Sequence, residues 1–451
     1  MDINTLFCIS PVDGRYRKMT EKVADYFSEY AYIKYRVKVE IEWLKYILKS
    51  EICNISKEIV ENVDKVYDTF DMISAMRVKE IEKITNHDVK AIEYYIKEEM
   101  DKINFSKYKN FVHFGCTSED INNIAYALMC KEFRDKILAH DMKELISKVK
   151  KKAIEYKDVS MLAHTHGQPA TPTTVGKELA IFVHRWQYIL EKMLKIEFCG
   201  KFSGAVGNYN AHVIAYENID WIEFNKNFVN SLGLKFNPLT TQIESHDVLC
   251  EFFSYLKLFN NITLDFNSDM WMYISRKYFK QKVIETEVGS SVMPHKVNPI
   301  NHENSMANIH MANSIIDNFT NNLQISRMQR DLSDSSTLRN IGVVFSHTLI
   351  SIMQSIKGFE KMDVDKDILK SELENNPEVL AEAIQTVLRK NGYNDAYESL
   401  KKFTRGKEVT LKMLRDYISN LGIDEKDKKR LLDLEPSTYV GAASKLVDFI
   451  E

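Results

Sequence analysis

The chain has 451 residues, 44% of them hydrophobic, and 61 basic against 64 acidic side chains leave a net charge of −3. That is enough chain for two or three domains and a sizeable core. No basic block marks a nucleic-acid surface and no apolar run reaches the length of a membrane span, so neither partner is expected.

The cysteines Cys8, Cys53, Cys116, Cys130, Cys199 and Cys250 are scattered and form no CxxC pair. They fit free thiols in a reducing cytoplasm, and the opening MDINTLFCIS lacks the basic-then-apolar pattern of a signal peptide. Glycine (15) and proline (8) are scarce, and ten of them fall in two windows, His164–Gly207 and Gly289–Pro299. Long helices are expected elsewhere, and the breakers mark the loops worth reading.

Residues 1–16 read as an extended lead-in ending ISPVDGRY, with Arg15 and Tyr16 last. Residues 17–110 contain neither Gly nor Pro, and Val37, Ile41, Leu44 and Leu48 repeat at helical spacing. In TNHDVKAIEYYI, Asn86 or Asp88 is placed to cap the following helix, and His87 is either part of that cap or a site residue. In HFGCTSEDINN, Gly115 ends one helix and Thr117 or Ser118 caps the next, with Glu119 and Asp120 in its first turn. A helix N-terminus carrying two hydroxyls is also an anion site.

A helix is expected near 121–157. Leu179, Phe182, Trp186, Ile189 and Met193 then mark one face of a helix beginning near Val175. Between them lies LAHTHGQPATPTT, with His164 and His166 two apart; no grouping of His, Cys, Asp and Glu has metal-ligand spacing. Gly204 and Gly207 form neither of the common phosphate-cradling glycine motifs. Gln242 precedes an apolar-faced segment expected to be a helix of about forty residues, roughly 60 Å long. Such a helix suits a central bundle, shared between subunits.

The richest loop is GSSVMPHKVNPINHEN, Gly289–Asn304. Its serines offer hydroxyls that can act as base, nucleophile or anion donor. Lys296 supplies a point charge suited to a carboxylate, Asn298 both donates and accepts, and Glu303 could orient a histidine. Further on, Arg327, Arg330 and Arg339 stand in SRMQRDLSDSSTLRN. Nine residues of continuous helix turn through about 900°, which puts Arg330 and Arg339 on opposite faces. They can share one phosphate only if the helix breaks, and the run Ser333–Thr337 is a candidate break. Residues 359–451 read as a smaller helical domain without a catalytic constellation.

GSSVMPHKVNP resembles the shared loop of the fumarase/aspartase superfamily, GSSxMPxKxNP. His295 is similar to the adenylosuccinate lyase branch, where fumarase and aspartase usually have Gly and argininosuccinate lyase Gln. RY, NHD, TS, THGQPATP and the arginine segment extend the resemblance from Arg15 to Arg339 in family order. It implies an all-α fold of three helical domains, expected here as 1–112, a central long-helix bundle 113–358, and 359–451. It also implies a homotetramer with active sites shared between subunits.

The implied reaction is β-elimination of fumarate, from adenylosuccinate to give AMP and from SAICAR to give AICAR, with no metal or organic cofactor. The proton removed lies beside a carboxylate and is weakly acidic, so positive charge and donors must already be in place. The resemblance assigns Ser290 as general base, His166 as general acid, Glu303 as its orienting carboxylate, and Lys296 and Asn298 to the carbanion. It assigns Thr117 and Ser118 to the succinyl group, Ser291, Gln242, Asn304, Asn86, His87 and Asp88 to substrate, and Arg15, Tyr16, Arg330, Ser335 and Arg339 to the phosphate side. His164 departs from the arginine common in bacterial relatives, and its role stays open. The alternatives are a superfamily lyase acting on argininosuccinate, malate or aspartate, and a catalytically silent helical scaffold.

Overall fold

The computed structural model describes residues 5–282, 292–293, 295–406 and 408–450, leaving out the side chains of Phe403 and Thr404. The assignments of Ser290 as general base and Ser291 as a substrate contact lie outside the described residues. Helices dominate, and the strands among the described residues form three two-stranded sheets. The all-α expectation holds.

Two compact units, each discontinuous in sequence, make up the chain. The first comprises Met1–Met142, Ile189–Asn261 and Ala307–Met353. Its helix Glu29–Lys49 buries Ile33, Val37, Ile41, Leu44 and Leu48, the periodic face read from the sequence. A second apolar centre stacks Phe253 against Phe319 and Phe345, at 5.0 and 5.7 Å between ring centroids. The second unit comprises Lys143–Tyr188, Ile262–Met306 and Gln354–Glu451. There Phe266 packs edge-on against Phe182 and Trp186, and a separate cluster gathers Leu380, Ile384, Leu388, Leu414 and Leu431.

The helix expected to run about forty residues is Asp247–Ser275, 29 residues, or about 43 Å. It stops because Lys277 adopts a left-handed conformation (φ 66°). The Tyr278 N–H then donates to Tyr273 O and the Lys277 N–H to Ile274 O, a Schellman closure that needs neither Gly nor Pro. The segment THGQPATP, which falls in one of the windows of helix breakers, is a β-hairpin. Ser160–Thr165 pairs antiparallel with Gln168–Thr174, and Thr165 faces Gln168 across a two-residue turn. His166 (φ 53°) and Gly167 (φ 75°) are both left-handed, as a type I′ turn requires.

Two buried histidines have a pH consequence. Among the described residues, His212 has no hydrogen-bond partner on either ring nitrogen, and His302 has one only on Nδ1, which donates to Asn267 Oδ1 at 2.7 Å. Burial pushes each ring down to about 4, whereas the unfolded chain protonates them near pH 6.5. Their stabilisation is therefore present above about pH 6.5 and is lost as pH falls towards 4, by up to about 3 kcal/mol each. His113 runs the other way. Burial lowers its pKa but Glu40 outweighs that, so its contribution is full below about 6.5 and fades at higher pH. Denaturant midpoints should fall between pH 6.5 and 4, and His212→Phe should flatten that slope. An unchanged slope would mean the ring titrates normally in the fold.

Candidate active site

Within the first unit, one cavity of about 750 Å³ collects eight of the residues nominated from the sequence: His87, Asp88, Thr117, Ser118, Gln242, Arg330, Ser335 and Arg339. Each has a local reason to be there.

Asn86 is left-handed (φ 50°) and closes the helix Met72–Thr85. The next helix, Asp88–Lys102, is capped by neither Asn86 nor Asp88 but by His87, whose Nδ1 accepts the Lys90 N–H at 3.2 Å. Asp88 is unavailable as a cap because its carboxylate takes its neighbour Val89's N–H and pairs with Arg36 at 2.8 Å. Burial raises the Asp88 pKa, but Arg36 and the Val89 N–H outweigh it and hold the carboxyl below its usual range.

Thr117 precedes the helix Ser118–Phe133 and donates its N–H to Asp120 at 2.8 Å. Asp120 is fully buried and also accepts from Lys201 Nζ (2.7 Å), the Ser203 N–H (2.9 Å) and the Gly204 N–H (3.2 Å). Lys201 donates in turn to Gly204 O at 2.7 Å. This knot ties the Thr117–Ser118 turn to the glycine loop. Gly115 must be glycine: its φ is +71°, and a Cβ there would lie 2.4 Å from His212 Nε2. Gln242 spans the same region, donating from Nε2 to Ala205 O (2.9 Å) and from its N–H to Gln329 O (3.3 Å).

The arginine segment breaks earlier than its serine run suggested. The helix Ile300–Asn322 ends before Arg327, Met328 is left-handed, and Ser333–Leu338 is itself a short helix with Arg339 at its C-terminal cap. Arg330 lies in the non-helical stretch between these two helices, and both arginines reach the cavity. Arg330 pairs with Glu119 at 2.9 Å and donates to Ser335 Oγ at 3.1 Å. Arg339 pairs with Glu29 at 2.7 Å. Arg15 is exposed, and neither it nor Tyr16 lines this cavity.

The same wall holds residues not nominated from the sequence. Arg36 is 2% exposed, donates from Nε to Asn122 Oδ1 at 2.8 Å, and lies 3.6 Å from the Tyr32 ring centroid. Its signal was present: Arg36 and Glu40 stand four apart beside the buried positions of an apolar helix, where a charge needs a partner. Glu40, also buried, meets His113 Nδ1 at 2.6 Å. Three arginines, Arg36, Arg330 and Arg339, line the cavity beside three carboxylates, Asp88, Glu119 and Asp331.

In the second unit, His166 is exposed at the hairpin tip. His164 takes a hydrogen bond on Nε2 from Arg276 at 2.9 Å, which gives this variable position a structural partner. Lys296 is exposed, its N–H bonded to Met293 O at 3.0 Å, and Asn298 is half-buried. Glu303 lies in the first turn of Ile300–Asn322 and Asn304 follows it in the helix. The Glu303 carboxylate accepts from Trp271 Nε1 at 3.1 Å; among the described residues it is not paired with His166. His302, next to it, is anchored on Asn267, whose amide also donates to Ser305 (3.1 Å) and Ser355 (2.8 Å). That buried polar hub fixes the rotation of the helix that presents Glu303.

Comparison with known proteins gives the class first. Residues 14–315 match the lyase family, and residues 326–440 match the C-terminal domain of adenylosuccinate lyase. A fumarate lyase from Mesorhizobium sp. BNC1 superposes with a TM-score of 0.76 at 17% identity, covering 95% of this chain and 97% of that one. A β-carboxy-cis,cis-muconate cycloisomerase from Acinetobacter calcoaceticus gives 0.74 at 16%, covering 97% and 99%. At those identities the likeness carries the fold alone. Adenylosuccinate lyase of Buchnera aphidicola subsp. Acyrthosiphon pisum is 47% identical over 100% of both chains, and that of Escherichia coli K12 is 44% identical over 99% of both. The chain belongs to the adenylosuccinate lyase family.

Proposed function

We infer that this chain is a C–N lyase that eliminates fumarate from adenylosuccinate, leaving AMP, and from SAICAR, leaving AICAR. The observation that carries this reading is the arginine-walled cavity: it suits a phosphorylated substrate, and it occurs in a chain with full-length similarity to adenylosuccinate lyases. Arg330, Ser335 and Arg339 take the phosphate; the family resemblance adds Arg15 and Tyr16, which do not line this cavity. Thr117 and Ser118 take a succinyl carboxylate at the helix N-terminus.

Ser290 removes the proton, and Lys296 and Asn298 stabilise the charge that passes into the neighbouring carboxylate. His166 protonates the departing nitrogen, and Glu303 orients the imidazole. Asn86, His87, Asp88, Gln242, Ser291 and Asn304 complete the substrate contacts. The family resemblance supports a cytoplasmic homotetramer with active sites drawing on more than one subunit.

The test is to add purified protein to adenylosuccinate and follow AMP and fumarate. Stoichiometric release is expected, with Ser290→Ala folded and nearly inactive. Turnover of argininosuccinate or malate instead would keep the superfamily and sink the substrate assignment. No turnover of any of them by a folded protein would leave a silent scaffold.

A further inference from the structure

Arg36 is a buried charge that the roles above leave unused. Its guanidinium is sealed from water, with Nη1 unpartnered among the described residues, Nη2 on Asp88 Oδ2 at 2.8 Å and Nε on Asn122 Oδ1 at 2.8 Å. The Asp88 oxygen it holds is shared: Arg339 Nη2 stands 3.5 Å from that same Oδ2, while Arg339 Nη1 is on Glu29 at 2.7 Å. Both guanidiniums lie against Tyr32, at 3.6 Å (Arg36) and 5.5 Å (Arg339) from its ring centroid. One carboxylate oxygen thus sits between a buried arginine and a half-exposed one that faces the cavity.

The two pairings differ in strength. The Arg36 contact is short and its guanidinium is buried, and a fork held by Asn122 and Tyr32 cannot swing away. The Arg339 contacts are longer or wetter, since Glu29 is exposed and also pairs with Lys79 at 3.3 Å. An incoming anion therefore draws Arg339 off Glu29 at small cost, provided Asp88 does not compete for it. While Arg36 holds Asp88 at 2.8 Å, Asp88 meets Arg339 only at 3.5 Å and competes weakly for it.

We propose that Arg36 is a positioning residue for the substrate anion: by binding Asp88 Oδ2 it prevents that carboxylate from capturing Arg339, and so keeps Arg339 available to a phosphate. The proposal rests on the reading that this cavity takes the nucleotide phosphate. It requires coupling between Arg36 and Asp88, which a purely structural arginine would not show.

The experiment is a double-mutant cycle read by calorimetric binding of AMP to the full-length protein, which needs no turnover. Arg36→Met is expected to weaken AMP roughly tenfold or more. In an Asp88→Asn background the same change should cost less than about threefold, because the competing carboxylate is gone. Arg36→Lys, which keeps the charge but loses the fork, should fall between. If Arg36→Met does not fold, the cycle is run with Arg36→Lys. AMP affinity unaffected by the Arg36 change overturns the proposal, and so does an equal penalty in both backgrounds. Arg339→Met fails separately: unchanged AMP binding by that variant would sink the phosphate reading itself.

Discussion

His166→Asn is expected to lower kcat on adenylosuccinate by about 10²–10⁴-fold, the range for loss of a positioned general acid, while AMP binding stays within a few-fold of wild type. Asn is the informative replacement because of where His166 sits. The residue occupies the first position of a type I′ turn with φ 53°, and Asn accepts that conformation whereas Ala adds strain there. A loss seen with Asn therefore reports the imidazole and not the hairpin. The chemistry explains the size. A nitrogen leaving without a proton departs as an anion, and a neutral amide cannot supply that proton near pH 7, whereas an imidazolium can. His164→Asn is the paired control: its ring is turned to Arg276, so it should alter stability more than kcat. Retention of a third or more of wild-type kcat by His166→Asn would mean that another group protonates the leaving nitrogen.

The all-α fold was legible in the sequence, and so was a grouping of residues into a candidate site. Motif order predicted which residues would belong together, and eight of them line one cavity. The apolar face of Glu29–Lys49 and that of Val175–Leu194 followed from periodicity, because burial of one helix face is a local property of spacing. Where helices end was less legible. Asp247–Ser275 stops at a left-handed lysine, and no residue type announces that. The same holds for the cap before Asp88, where tertiary pairing with Arg36 removed the better capping side chain and left His87 to do it. The hairpin at His166 was hidden because its prolines, Pro169 and Pro172, read as breakers although its turn residues fit a two-residue loop. Arg36 was missed for a different reason: a charge in an apolar helix looks like a solvated one until its partner, 52 residues away, is seen.

Lys201→Met is expected to destabilise the protein by about 3–5 kcal/mol, the cost of stranding one member of a buried ion pair. Both side chains of the Lys201–Asp120 pair are fully buried, so water cannot take over when the ammonium is removed. The double variant Lys201→Met/Asp120→Asn removes the stranded charge, yet it should recover only part of the loss. Asp120 also accepts the backbone N–H groups of Thr117, Ser203 and Gly204, and an amide has one acceptor oxygen where the carboxylate has two. Some of those donors are left unpaired in a dry site, at about 1–3 kcal/mol each. Denaturant midpoints of the two variants separate the charge cost from the donor cost: full recovery in the double variant would mean that the carboxylate matters only as a counter-ion. The same knot fixes the turn that holds Thr117 and Ser118 at the cavity. KM for adenylosuccinate should therefore rise in Lys201→Met even at temperatures where the protein stays folded. An unchanged KM would detach the buried pair from the anion site and leave it a role in stability alone.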